Sequence, residues 1–98
     1  MPAPPSDRDA PGAEAVRVPI EDALDLHSFL PSDVASAAAE YLDLAKERFR
    51  EVRLIHGRGI GVQREIVRAL LARREDVRDF FDAPPERGGS GATIAVFR

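Results

Sequence analysis

The chain is 98 residues long, which is enough for one domain with one modest hydrophobic core. Its hydrophobic fraction of 44% is ordinary for a globular protein, and the absence of cysteine excludes a disulfide scaffold and a thiolate zinc site. No apolar run is long enough to cross a membrane and the N-terminus lacks the features of a secretory signal, so a cytoplasmic protein without a membrane partner is expected.

The formal net charge of −3 conceals an asymmetry along the chain. Residues 1–45 contain two basic and nine acidic residues, whereas residues 46–98 contain twelve basic and eight acidic ones. Every basic residue except Lys46 is an arginine, whose planar guanidinium can bond two phosphate oxygens at once. The basic half is compatible with a nucleic-acid partner, although solvated helix faces would give the same composition.

The N-terminal segment differs in composition from the rest. Residues 1–15 are rich in Pro, Ala and Asp and lack apolar periodicity, so they predict a disordered tail before one domain over residues 16–98. Residues 16–20 are compatible with a short extended arm. The alternation over residues 23–27 then predicts the first strand, with Leu24 and Leu26 inward and the polar residues on the other side.

Two helices and a strand follow the first strand. Apolar residues at helical spacing from Val34 to Phe49 predict a first helix over residues 32–49. Residues 52–55 are β-prone and predict the second strand. A second helix is expected from Val62 to residue 73 or 74, with these residues facing inward: Val62, Ile66, Ala69 and Leu70.

Residues 77–81 and 93–97 predict the last two strands, joined by a mobile glycine- and proline-rich connection over residues 83–91. The order β-α-β-α-β-β predicts an α/β two-layer sandwich with a mixed four-stranded sheet. The first two strands are expected to be parallel, and the last two antiparallel.

Asp25 and His27 are two residues apart in the first predicted strand, so they share one side of it. They lie at its carboxyl end, where open α/β sheets bind ligands. Such a pair suits a divalent-metal site at Asp25, with Mg²⁺ or Mn²⁺, or a base with its partner. The alternative is an ordinary surface pair that ends a strand.

The second predicted strand ends in His56-Gly57-Arg58-Gly59-Ile60-Gly61. The glycines allow a ligand to approach the backbone closely, and the following helix start is a natural phosphate site. The alternative is a tight turn that needs glycine for its own geometry. A nucleotide cofactor is not expected, since Val62 stands where a dinucleotide fingerprint requires glycine and no Gly-Lys-Ser/Thr sequence occurs.

Three arginines accompany this loop. Arg58 lies within it, and Arg64 and Arg68 are about one turn apart on what is predicted to be the exposed side of the second helix. Together with the loop glycines Gly57, Gly59 and Gly61, they are predicted to contact a phosphate backbone.

Three segments in this order resemble the Smr (small MutS-related) domain family, over about residues 20–98. They are Leu24-Asp25-Leu26-His27, the His56–Gly61 loop, and Gly88-Gly89-Ser90-Gly91-Ala92-Thr93. The family patterns are L-D-L-H-G, H/T-G-x-G and a glycine-rich run ending in G-A-T. One position departs from them: Ser28 follows His27 where the family usually has glycine.

The resemblance implies a fold similar to the C-terminal domain of a bacterial translation initiation factor, with nucleic acid at one edge of the sheet. It implies a DNA-nicking or RNA-cleaving endonuclease, with Asp25, His27 and His56 as catalytic residues and Gly57 and Gly59 shaping the loop.

Three hypotheses therefore stand side by side. An endonuclease would use the two histidines for proton transfer or phosphate polarisation and Asp25 for a metal or a water. A binding module would hold DNA or RNA with the same residues and perform no chemistry. A protein-interaction domain would instead use the acidic N-terminal half and the apolar Phe29-Leu30 pair.

Overall fold

The computed structural model describes residues 20–98, which form a four-stranded sheet with two helices packed on one of its faces. The strands are β1 (Ala23–Asp25), β2 (Glu51–Ile55), β3 (Val77–Asp82) and β4 (Ala92–Phe97). The helices are α1 (Pro31–Ala45) and α2 (Val62–Arg73). Neither helix of this part of the chain has the length and apolar content that a membrane crossing needs. The predicted tail, residues 1–15, and most of the predicted arm lie outside the described residues.

The sheet is mixed, and its strand order is β1-β2-β4-β3. β1 runs parallel to β2, while β4 is antiparallel to both of its neighbours. The predicted element order and both predicted pairings are therefore confirmed. Because β4 lies between β2 and β3, its residue Thr93 is the register partner of Leu54 and points to the same face of the sheet.

Helix α1 buries one stripe of its surface against the sheet. Pro31 occupies its first turn, where no N–H is needed, and the buried residues recur at helical spacing: Val34, Ala38, Leu42 and Ala45. The helix ends at Ala45, four residues before the predicted end. The Ala45 carbonyl accepts hydrogen bonds from the N–H groups of Arg48 and Phe49, which turns the chain while Phe49 still packs on the core.

Helix α2 has the predicted bounds but a different inward face. Its buried residues are Val67, Leu70 and Leu71, and Ile66 packs against the same core. The prediction that Val62 and Ala69 face inward is wrong, since both are exposed. The first turn of the helix borders a surface hollow instead of the core, so the apolar stripe begins only in its second turn.

The connection between β3 and β4 was expected to be a mobile loop, but it consists of two short 3₁₀ turns, Pro85–Arg87 and Gly89–Gly91. The Pro84 carbonyl accepts hydrogen bonds from the N–H groups of Arg87 and Gly89, at 2.8 and 3.0 Å. The Gly88 carbonyl accepts one from Gly91 at 3.0 Å. These bonds fold the segment back toward the carboxyl end of β2.

Candidate functional site

The carboxyl ends of the parallel strands β1 and β2 meet at one edge of the sheet, as the sequence predicted. The loop that follows β2, His56–Gly61, borders a hollow of about 200 Å³ together with the first turns of α1 and α2. The residues around this hollow are Pro31, His56, Gly57, Arg58, Gly59, Ile60, Gly61, Val62, Gln63 and Arg64.

All three glycines of the loop have backbone angles that disfavour other residues. Gly57 has φ +82° and Gly61 has φ +89°, both in the left-handed region. A Cβ atom on Gly57 would lie 3.4 Å from the Cβ of His27, so this residue also brings the loop against the end of β1. Gly61 precedes α2 directly and has no side chain to cap the N–H groups of the first turn.

His27 is held by Asp25 and remains open to solvent. Asp25 Oδ1 accepts a hydrogen bond from His27 Nδ1 at 2.6 Å and another from the His27 backbone N–H at 3.0 Å. The bond from the imidazole holds the pKa of the Asp25 carboxyl below its ordinary value of 3.8. Because an ionised carboxylate can only accept, Nδ1 carries the hydrogen and Nε2 is left free within residues 20–98. The His27 side chain is 62% exposed.

His56 has the opposite environment, with only 3% of the residue exposed. Its Nδ1 lies 2.9 Å from the Gly57 carbonyl oxygen, and its Nε2 lies 2.9 Å from Thr93 Oγ1. The carbonyl can only accept, so Nδ1–H donates to it and Nε2 accepts from the Thr93 hydroxyl. Burial lowers the pKa of His56 below the ordinary value of 6.5, and nearby arginine charges add to this effect. The ring is therefore neutral, with both nitrogens in use.

The glycine-rich run before β4, residues 88–91, packs against the His56–Gly61 loop. The Gly91 carbonyl accepts hydrogen bonds from the backbone N–H groups of His56 and Gly57, at 3.0 and 2.9 Å. A Cβ atom on Gly89 would lie 3.0 Å from the guanidinium of Arg58, and one on Gly91 would lie 3.3 Å from the Arg58 Cγ. Glycine at these positions lets the Arg58 side chain lie directly on this segment.

The three arginines predicted to bind nucleic acid differ in their partners. Arg58 is exposed, and its guanidinium lies 3.4 Å from the Gly88 carbonyl oxygen. Arg64 and Arg68 both bond Asp82 Oδ1, at 2.8 and 2.7 Å. The prediction that both lie on the exposed face of the helix is wrong, since both are only partly exposed against β3. Among these three, within residues 20–98, Arg58 alone has no carboxylate at ion-pair distance.

The structure thus brings most of the predicted site residues together, but not all of them. Asp25, His27, His56 and the loop glycines lie together at one edge, with Arg58 beside them and Arg64 at the border of the hollow. Arg68 lies one helical turn away, and its guanidinium carbon is 5.4 Å from the ring centre of Phe80.

Gln63 is a site residue that the sequence analysis missed. Its side-chain amide donates to the carbonyls of Leu26 at 3.0 Å and Phe29 at 2.7 Å, across the turn that follows β1. The turn itself is closed by the Phe29 N–H, which donates to the Leu26 carbonyl at 3.0 Å. Gln63 therefore fastens the His27-Ser28 turn to the start of α2. No sequence pattern indicates such a long-range contact.

The donor set for the predicted metal is small. Within residues 20–98, no group of three or more Asp, Glu or His side chains lies together in a way that could hold a metal ion. Asp25 offers one carboxylate, and its Oδ1 already accepts two hydrogen bonds from His27.

Comparisons with known proteins agree with this arrangement of motifs. The family model described as "Smr domain" matches residues 24–98. Endonuclease MutS2 of Thermus thermophilus is 41% identical over 70 residues, which are 66% of this chain and 9% of that protein. Endonuclease MutS2 of Streptococcus gordonii is 40% identical over 76 residues, 76% of this chain and 10% of the relative. The chain thus corresponds to about a tenth of these relatives.

Two solved structures share the fold. The crystal structure of the Smr domain of Thermus thermophilus MutS2 has a TM-score of 0.75 at 32% identity, covering 80% of this chain and 99% of that one. YdaL, a stand-alone small MutS-related protein from Escherichia coli, has a TM-score of 0.76 at 25% identity, covering 87% of this chain and 70% of its own. With motifs, fold and family model in agreement, this chain belongs to the Smr domain family.

Proposed function

We propose that this Smr domain is an endonuclease that binds the phosphodiester backbone of DNA or RNA at the hollow beside the His56–Gly61 loop. Two of its similar relatives, which it matches over about a tenth of their length, are named as endonucleases. The observation that carries the proposal is the Asp25–His27 pair, which holds one imidazole nitrogen and leaves the other open to solvent. That is the arrangement a general base needs.

The His56–Gly61 loop and the helix start that follows it supply the positive electrostatic environment that a phosphate needs. N–H groups in the first turn of an α-helix have no partner within the helix, and the helix dipole favours an anion there. Gly61 leaves these groups uncapped at the start of α2, and Arg58 brings a positive charge to the same hollow. A phosphate bound here lies next to the end of β1, because Gly57 is so close to His27 that a Cβ atom on it would lie 3.4 Å from the His27 Cβ.

The proposed reaction follows from these positions. His27 Nε2 takes the proton of the attacking hydroxyl, which belongs to a water or to the 2′-OH of RNA. The new bond between that oxygen and phosphorus forms as the bond to the leaving oxygen breaks, and solvent returns a proton to the leaving oxygen. Arg58 and the N–H groups of the loop stabilise the charge that develops on the non-bridging oxygens.

Residues 20–98 alone do not fit the predicted Mg²⁺ or Mn²⁺, since the Asp25 carboxylate is engaged by His27 and belongs to no group of three or more potential metal ligands there. When bound by an endonuclease, such an ion neutralises the phosphate and activates a water. Cleavage measured with and without a chelator decides whether an ion arriving with the substrate contributes.

A non-catalytic nucleic-acid-binding domain is the second candidate. One observation favours it: His56, the other predicted catalytic imidazole, has both nitrogens bonded, so it cannot protonate a leaving oxygen without breaking a buried contact. The same loop and Arg58 would then bind the backbone, with a steep dependence on salt and no chemistry.

The experiment compares the chain with its His27→Ala variant on labelled single-stranded RNA and supercoiled plasmid DNA. We expect cleavage by the natural sequence alone, with backbone binding retained by the variant. Arg58→Ala is expected to weaken binding and lower its salt dependence, whereas Arg73→Ala serves as a matched control because Arg73 is exposed at the other end of α2. Equal cleavage by the His27 variant would refute the proposed base. Salt-dependent binding without cleavage by either protein would favour the second candidate.

A further inference from the structure

Exposed apolar side chains are concentrated around the hollow. Six large hydrophobic residues are exposed within the described part of the chain, and four of them lie at this edge: Phe29, Leu30, Ile60 and Val62. Ile60 is 93% exposed, Leu30 is 67% exposed and Val62 is 42% exposed. Pro31, Ile60 and Val62 border the hollow together with Arg58. We call these four exposed residues and Pro31 the apolar rim.

The rim has two sides whose positions are fixed by different contacts. Ile60 is the tip of the loop, between two glycines with positive φ, and a Cβ at either glycine would meet no atom within 4 Å. The opposite side, residues 29–31, is fastened by the Gln63 amide to the start of α2. Ile60 thus contributes little to the core, yet it is held beside Arg58 and the uncapped N–H groups.

We propose that the apolar rim receives an unpaired nucleobase, so that the substrate class of this site is single-stranded or locally unpaired nucleic acid. The inference rests on the proposed function. A ligand that fits the hollow must carry an anion and an apolar face close together, because Arg58 and the rim border the same space. A nucleotide whose base is unstacked has both, one sugar apart.

An intact duplex lacks this combination. Its backbone presents phosphates and sugars outward, while its bases stack on each other inside. An isoleucine beside the phosphate of a duplex would face water or sugar edges. Proteins that contact the faces of bases do so by unstacking them with apolar wedges such as isoleucine or proline, or by stacking side chains on unpaired bases, next to cationic side chains. Ile60 beside Arg58 has the same two components.

The test measures binding of the full chain to three fluorescein-labelled DNA probes of one sequence, each about 12 nucleotides long, within the site sizes of known single-strand binders. The probes are a single strand, its duplex, and a single strand of the same length without bases. We expect the single strand to bind about tenfold or more tightly than either of the others, since contacts to bases contribute gains of this order. Ile60→Ser is expected to remove most of that preference without changing the salt dependence, because no charge is lost.

Leu44→Ser is the matched control, since Leu44 is equally apolar and 58% exposed but lies on α1 away from the hollow. It should keep the full preference. Equal binding of the natural sequence to the single strand and to the duplex would overturn this inference but not the proposed function. An equal loss on all three probes in Ile60→Ser would also overturn it, because Ile60 would then shape the loop. Absence of salt-dependent binding to every probe, and to single-stranded RNA of the same sequence, would refute the proposed function as well.

Discussion

The two histidine segments of the site lie against each other and differ in what their rings can still do. At the end of β1, His27 bonds Asp25 through one nitrogen and keeps the other open to solvent. At the end of β2, His56 is buried and bonds the Gly57 carbonyl and Thr93. The same residue type therefore has two environments here: the His27 ring is accessible to a substrate, and His56 holds the loop that is proposed to bind it.

The largest effect is expected from removing the exposed ring. His27→Ala should lower the rate of single-turnover cleavage by about 100-fold or more, in the range attributed to general acid–base groups. Because the side chain is largely exposed and its only side-chain hydrogen bond within residues 20–98 is to Asp25, the midpoint of thermal unfolding should change little. A large loss of stability with unchanged cleavage would reverse the roles assigned to the two rings.

Removing the buried ring should act mainly on stability. His56→Ala deletes one buried and one partly buried hydrogen bond and leaves a cavity, so we expect the free energy of unfolding to fall by about 2–4 kcal/mol. Thr93→Val leaves His56 Nε2 without a partner and should cost about 1–2 kcal/mol. Urea denaturation of both variants and of His27→Ala gives the comparison. A His56 variant as stable as the natural chain would contradict the structural role.

The pH dependence of stability separates the roles further. Burial lowers the pKa of His56 in the folded chain, so the unfolded chain binds more protons once the pH falls to the ordinary value of 6.5. The natural chain should therefore lose stability as the pH falls through 6.5 toward the lower folded pKa. In His56→Gln that loss should be smaller between pH 7.5 and 5.5. Denaturation midpoints across this interval measure it, and identical slopes would contradict a buried neutral ring.

Substituting the glycines of the loop is expected to have a smaller effect on stability. Gly57→Ala and Gly61→Ala both force a side chain into the left-handed region, so each should cost about 1 kcal/mol of stability. Only at Gly57 does the new Cβ meet His27, at 3.4 Å. Gly57→Ala should therefore also lower cleavage, because the added methyl group packs on the His27 side chain and restricts it. Gly61→Ala is its matched control, and equal cleavage defects in both variants would argue against a specific contact with His27.

Substituting Gln63 is expected to have the most local effect, which is confined to the turn after β1. Gln63→Met keeps the length of the side chain but removes its bonds to the Leu26 and Phe29 carbonyls, which lie near the surface. We expect a loss of about 0.5–1.5 kcal/mol and faster hydrogen exchange at the Phe29 N–H, which closes the turn. Unchanged exchange at Phe29 would mean that the turn holds itself without Gln63.

What the sequence could predict was largely local. Helical spacing placed α2 at its observed bounds, and alternation placed Leu26 inward and His27 outward, because both patterns depend only on nearby residues. The meeting of the two histidine segments also followed, since parallel neighbouring strands end at the same edge. The resemblance to the Smr family added the glycine-rich run before β4, without a structural reason for it.

What the sequence could not predict depends on contacts between distant segments. Thr93 reaches His56 because β4 lies between β2 and β3, an order that periodicity does not determine. Arg64 and Arg68 turn toward Asp82 because α2 packs near β3, so their charges are paired. The inward face of α2 was misassigned for a related reason: its first turn borders the hollow, where Val62 is exposed.

The division of roles between the two histidines is tested most directly by long-range ¹H–¹⁵N NMR of both rings during titration with a single-stranded oligonucleotide. We expect the signals of His27 to shift as the oligonucleotide binds. Those of His56 should keep the pattern of a neutral ring with its hydrogen on Nδ1, fixed by the Gly57 carbonyl and Thr93. A charged His56 ring that responds to the oligonucleotide, beside an unresponsive His27, would contradict it.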